Sequence, residues 1–230
     1  MRPFGHTEAR EERDDHIMAI PSPLQEAWER YPPVTEYTLH QELLEKATSL
    51  LRPLRPTLEQ LHRHVFATPH HDDARAGAHL GLFITAGYQL LQQKTIVFPL
   101  AMPHLHCLGW RLRNKHLVID GVVGRDCGRG SMGDLTINGR AHARAGEAMI
   151  GRFTNNGETE MDTTFSMIGV YTGQPIAHPE LLLGSYNGAW NIAKERHRPF
   201  LRDIRYPHNT PYWMFYEKIH TRYSMWKVER

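Results

Sequence analysis

Cysteine is scarce: the 230 residues hold two, Cys107 and Cys127. Neither belongs to a C-x-x-C pair, so a disulfide framework and a paired-cysteine zinc site are both excluded. Reduced thiols in an intracellular compartment are the expectation. Long apolar runs are missing too. The best, Leu80–Leu91, is short and interrupted by Thr85 and Gln89, which argues against a membrane span and for no membrane partner. Charge of one sign is not in excess, with 27 basic against 25 acidic residues, so no overall field selects a partner. The opening MRPFGHTEAREERDDH lacks the apolar core of a secretory signal, and the expected compartment is the cytoplasm. There is no H-E-x-x-H and no G-K-[ST], so the common metallohydrolase and phosphate-loop signatures are absent.

Glycine, by contrast, is present in order. The stretch 114–158 contains LVIDGVVGRDCGRGSMG, then LTINGRAHARAGEAMIG, then the start of a third copy, RFTNNGE. Ile119, Ile137 and Asn155 lie 18 residues apart, as do Gly121, Gly139 and Gly157. Gly128 and Gly146, and Gly133 and Gly151, keep the same interval, whereas Met132 and Met149 miss it by one. A fixed period of this length, with a short β-branched run before glycine, is the pattern of a stacked β-solenoid. Alternation of Leu117 with Ile119 and of Leu135 with Ile137 supplies the strand period. Stacking would place Ile119 over Ile137 and bury both.

These repeats resemble the glycine-rich repeats of the C-terminal domain of glutamate synthase, and similar repeats found in formylmethanofuran dehydrogenase. The resemblance covers residues 114–158 and implies a right-handed β-helix whose role is structural, holding domains or subunits in place. This chain departs from those families at His142 and Arg144, where they favour small residues, and at Asp134, where a second glycine is usual. The resemblance carries no catalytic residue.

Around the repeats the sequence divides into four parts. Residues 1–37 are proline-punctuated and polar and read as an extended or disordered arm, with one short helical candidate near Leu24–Arg30. Residues 38–93 read as helical. Leu39, Leu43, Leu44, Ala47, Leu50 and Leu51 form one apolar stripe, and Leu58, Leu61, Val65 and Phe66 form another. Thr57 and Gln60 have capping-box spacing. Joined through RPLRPT, the two make a helical hairpin suited to covering an end of the solenoid, since open strand edges invite aggregation. A buried helix follows from about Ala78 to Gln92.

Residues 94–173 read as the solenoid core, with strands at 94–100, 104–112, 115–120 and 162–173. Residues 174–230 read as a basic, aromatic, helical extension, with helices over Glu180–Ala193 and Tyr212–Trp226. The fold class expected is therefore α+β: a helical hairpin, a short right-handed solenoid with coils of about 18 residues, and a C-terminal helical extension.

Four groups of residues could carry chemistry. His70, His71 and Asp73 in a loop, with His104 and His106 on a strand that would turn both rings to one face, could together hold a divalent metal. His62 and His64 are two apart on a helix and point in different directions. Cys127 lies between Arg125 and Arg129, whose charges would favour thiolate. Arg198, Arg202, Arg205, Lys218 and Arg222, interleaved with Tyr212 and Trp213, have the composition of a single-strand nucleic-acid surface. The leading expectation is a non-catalytic scaffold or assembly subunit with no resident cofactor. Two rungs are fewer than the roughly three a solenoid needs, so flanking helices, a protein partner or a second copy must complete it. A metal-dependent enzyme and a nucleic-acid binder are the alternatives.

Overall fold

The computed structural model of the chain describes residues 22–33, 40–68, 74–160, 163–164, 167–176, 183–186, 189–191, 205–206 and 210–211. Four helices come first: α1 (Pro23–Glu29), α2 (His40–Leu51), α3 (Leu58–Ala67) and α4 (Ala74–Leu90). A β-solenoid of about four turns follows. Its turns contribute β1 (Thr95–Phe98) and β2 (Ala101–Met102), β3 (Arg113–Ile119) and β4 (Val122–Val123), β5 (Met132–Ile137) and β6 (Arg140–Ala141), then β7 (Ile150–Asn155) and β8 (Glu158–Thr159). The next strand, β9 (Ile168–Gly173), is followed by β10 (Leu183–Tyr186) and β11 (Ala189–Asn191). A separate short pair, β12 (Arg205–Tyr206) and β13 (Thr210–Pro211), is antiparallel.

The long strands stack in parallel in the order β1, β3, β5, β7, β9, and the two-residue strands stack likewise as β2, β4, β6, β8. Register is what the repeat dictates. Ile96, Leu117, Leu135, Phe153 and Tyr171 form one buried column, and Phe98, Ile119, Ile137 and Asn155 form the next. Each buried aliphatic or aromatic side chain contributes about 1.5–3 kcal/mol. A Cβ built on Gly139 would lie 1.9 Å from the carbonyl oxygen of Gly121 one turn below, which is why that column admits only glycine.

The turns extend beyond the repeat visible in the sequence. Ile150 and Gly151 pair with Ile168 and Gly169, so the 18-residue interval and its glycine column continue through β9. Upstream, β1 stacks beneath β3 although the intervening segment is longer. The methionine mismatch also resolves. Met132 is in line with Ile150, whereas Met149 belongs to the neighbouring buried position that Met167 fills one turn later.

The helical part forms a cap. Thr57 and Gln60 make the expected capping box. Helix α4 is buried along most of its length and lies across the open end of the first turn. Its glycines bring its backbone onto that turn: a Cβ on Gly81 would sit 1.8 Å from the carbonyl oxygen of His106. Thr85 Oγ1 accepts a hydrogen bond from the Gly109 N–H at 2.8 Å and donates to the Gly81 carbonyl at 2.7 Å. Gln89 Oε1 accepts from the Arg113 N–H at 2.8 Å. The end's backbone donors are thus satisfied by side chains of the cap. Helices α2 and α3 pack on α4, placing Leu43, Leu51, Leu61 and Val65 in the core. Helix α4 lies closest on the coil end, and the α2–α3 hairpin reaches it as well: Gln41 of α2 accepts from the Arg111 side chain, and His62 of α3 stands edge-on to Phe98 at 5.7 Å.

Two expectations need correction. Residues 104–112 form a corner instead of a strand, because Cys107, Gly109 and Arg111 take positive φ of 60°, 75° and 55°. The same alternation recurs at Asp126, Gly128 and Gly130 and at Arg144, Gly146 and Ala148, so the apolar spacing of this segment is that of a corner facing the core. Within Glu180–Ala193 the described residues are strands in place of a helix. β10 pairs parallel with β9, and β11 returns antiparallel beside it. An exposed sheet edge offers a full row of backbone partners, and the intervening residues in sequence, Asn187 and Gly188, are the dipeptide that most favours a two-residue hairpin. The expected helix over Tyr212–Trp226 and most of the 1–37 arm lie outside the described residues.

Candidate functional site

The densest polar grouping among the described residues lies along the corner of the solenoid, where one column runs from Gly124 to His142 to Glu160. These residues are 18 apart, so the coil stacks them. His106 covers the column from the first turn. A Cβ on Gly124 would meet its Nδ1 at 2.1 Å, so glycine there is what lets the ring lie flat on the next turn.

Hydrogen bonds fix both rings. His106 Nδ1 accepts from the Arg125 N–H at 2.8 Å, which leaves the proton of the neutral ring on Nε2. Burial holds the His106 pKa below the usual histidine value, helped by the charge of Arg125, while Asp126 opposes. His142 Nδ1 lies 2.7 Å from Glu160 Oε1, so this nitrogen carries the proton. The same bond holds the Glu160 carboxyl below its ordinary range.

Beside them runs a charge network. Asp126 pairs with Arg129 at 3.1 Å and with Arg144 at 2.9 Å, and Glu147 pairs with Arg129 at 3.0 Å. Arg144, a departure from the repeat families, is thus the partner of a largely buried carboxylate one turn below. Arg140 reaches Glu160 at 3.4 Å.

The arrangement does not activate a thiol. Cys127 is fully buried in the core, and burial pushes its pKa well above the usual thiol range. Arg129 is engaged with Asp126 and Glu147 and does not lower it. Cys107 is likewise buried, its thiol pushed up to about 12 by desolvation. The thiolate considered for Cys127 is set aside on this ground.

Of the proposed metal set, His104 is exposed and His106 is half-buried on the corner, no longer a strand pair with rings on one face. His70, His71 and Asp73 lie outside the described residues. Among the described residues, no group of three or more His, Cys, Asp or Glu could hold a metal ion. His62 Nε2 instead bonds the Tyr88 hydroxyl at 3.0 Å, and His64 and His79 are packed among aromatic rings of the cap. Of the proposed nucleic-acid residues, Arg205 falls in β12; Arg198, Arg202, Tyr212, Trp213, Lys218 and Arg222 lie outside the described residues.

Sequence reading missed His142 with Glu160. Applying the 18-residue interval to polar residues as well as to glycines would have aligned them.

A second polar feature follows the glycine column. Asn138 Nδ2 donates to Asp120 Oδ1 at 2.6 Å, and Asn156 Nδ2 donates to Asn138 Oδ1 at 2.9 Å. This ladder borders an open groove of about 700 Å³ that also includes Arg140 and Glu158. No helix among the described residues is long and apolar enough to cross a membrane. Comparison of the chain with protein-family models, with curated proteins and with solved structures finds no match.

Proposed function

We propose that this chain is a non-catalytic scaffold or assembly subunit that holds a protein partner, or a second copy of itself, against its glycine-rich solenoid. One observation carries the reading: the coil is filled inside, and its repeating positions outside form straight ladders. Ile119, Ile137, Leu135 and Phe153 occupy the interior, together with Cys127. Outside, Val97, Val118, Thr136, Thr154 and Thr172 align across five parallel strands of the broad sheet. Neighbouring strands are about 4.8 Å apart, so this column is a regular surface of small β-branched side chains. We take the winding to be right-handed, as parallel crossovers almost always are. A filled coil with buried thiols leaves the exterior as its working surface.

The test is native mass spectrometry of the tagged chain purified from its host at low salt. A stoichiometric assembly that disappears in Thr136→Arg/Thr154→Arg and persists in His142→Ala supports the scaffold reading. A monomeric wild-type chain overturns it, as does an assembly indifferent to the sheet-face variant.

A further inference from the structure

Helix α1 and the residues just beyond it are laid over α3 and α4 as a strap. Its contact is aromatic. Trp28 stands edge-on to His64 at 5.5 Å and to Phe83 at 5.1 Å, and Tyr31 stacks on His79 at 4.2 Å with the rings 8° from parallel. His79 Nε2 lies 2.7 Å from the Pro32 carbonyl oxygen, which ties down the far end of the strap. His64 has no such tie. It is 6% exposed, and its Nε2 has no hydrogen-bond partner.

We propose that α1 is an acid-released strap: protonation of His64 expels Trp28 and Tyr31 from the helical cap and uncovers the α3–α4 face while the solenoid stays folded. The imidazolium form has two N–H donors, and the one at Nε2 faces a site without an acceptor. An uncompensated charge in an aromatic pocket is strongly disfavoured, and moving the strap admits water. The groups around His64 do not rescue it. From the strap come Trp28 and Tyr31, the latter a neutral phenol whose pKa burial raises above the ordinary tyrosine range. From α4 come Phe83 and His79, itself held below the usual histidine value by burial, with the Pro32 carbonyl opposing. On α3, Arg63 is exposed and paired with Glu59 at 2.5 Å. The cleft of about 400 Å³ between α1 and α3 that reaches His64 is lined by no carboxylate.

The sign follows from the direction of the shift. Burial lowers the His64 pKa from 6.5 to about 4, so the released state binds the proton more tightly. The closed strap is fully favoured above the released value, loses ground as pH falls between the two, and levels off below the lower one.

Hydrogen exchange of the full chain from pH 7 to 4.5, corrected for intrinsic rates, tests this. Protection across residues 22–33 should fall on the order of 10²-fold over that range. Residues 117–155 should keep theirs, and His64→Phe should abolish the difference. His64→Gln, which also cannot titrate, serves as an independent second variant. Unchanged protection at 22–33, equal loss in 117–155, or a pH response that survives in both variants overturns the proposal.

Discussion

The two ends of the solenoid are built from different chemistry. At the first turn the interior is Ile96 and Phe98, and the open end is sealed by a buried helix whose Thr85 and Gln89 satisfy exposed backbone donors. Towards the last turn one of these columns becomes polar, while the other stays aromatic through Phe153 and Tyr171. Asn155 follows Ile137, and Thr163 and Thr164 enter the buried set. Asn155 Oδ1 and Thr164 Oγ1 are buried without hydrogen-bond partners. Instead of a helix, β10 and β11 extend the sheet there and reverse its direction. The first end is closed by a helix, whereas at the other the stacking continues past Asn155 through β9 and β10. A coil with an apolar column at both ends would invite further rungs from other chains.

Reciprocal swaps within one column should break this contrast most sharply. Ile137→Asn places an unsatisfied amide in the apolar stack and should cost about 4 kcal/mol in urea unfolding. Asn155→Ile extends that stack by one turn and removes an orphaned acceptor, while losing bonds to Thr159 and Tyr171. It should change stability by no more than about 1 kcal/mol. Equal costs for the two would abolish the distinction between the ends.

The cap is the next target. Gly81→Ala would gain helix propensity in an exposed helix, but here the new methyl meets the His106 carbonyl oxygen at 1.8 Å. A loss of about 3 kcal/mol is expected, with increased exchange at Gly109 and Arg113. Thr85→Val keeps the volume and strands the Gly109 N–H, and should lower stability by about 2 kcal/mol.

At the far end the sign reverses. Thr164 has φ of 63° at the position that Gly128 and Gly146 occupy, with φ of 64° and 65°, in earlier turns. Thr164→Gly should therefore raise stability by about 1 kcal/mol in thermal unfolding. The smallest effect belongs to the corner. The Glu160 carboxyl is held below its ordinary range chiefly by the His142 hydrogen bond. Its contribution is present above the unfolded carboxylate value and is lost as pH falls through the lower folded one. Because the pair is partly exposed, Glu160→Gln should barely change the melting temperature at pH 7 and should flatten its fall in acid.

Much of the solenoid was legible in Ile119, Gly121, Ile137 and Gly139, because stacking forces identical demands onto residues one turn apart. A backbone contact of 1.9 Å can be met only by glycine, and a column between two aliphatic neighbours favours another aliphatic. The turns at either side were harder to read. Tyr171 replaces Phe153 and Asn155 replaces Ile137, so the period survives in the backbone pairing while residue identity drifts. Residues 104–112 misled for a related reason, since a corner whose side chains point inward alternates much as a strand does. The His142–Glu160 pair was obscured by its spacing, as residues 18 apart become neighbours only once the coil exists.

The sequence by itself determined the repeat, its period, the glycine columns, the capping box and the amphipathic helices, all of which depend on local spacing or on one repeating contact. Only the tertiary structure decided which helix lies closest on the coil end, that both thiols are buried, that a continuing edge turns Leu183–Tyr186 into a strand, and which histidines share a corner or a strap. Those outcomes depend on what lies across space from a residue, and burial, pKa and the choice between helix and edge strand are set there and not by the neighbours in the chain.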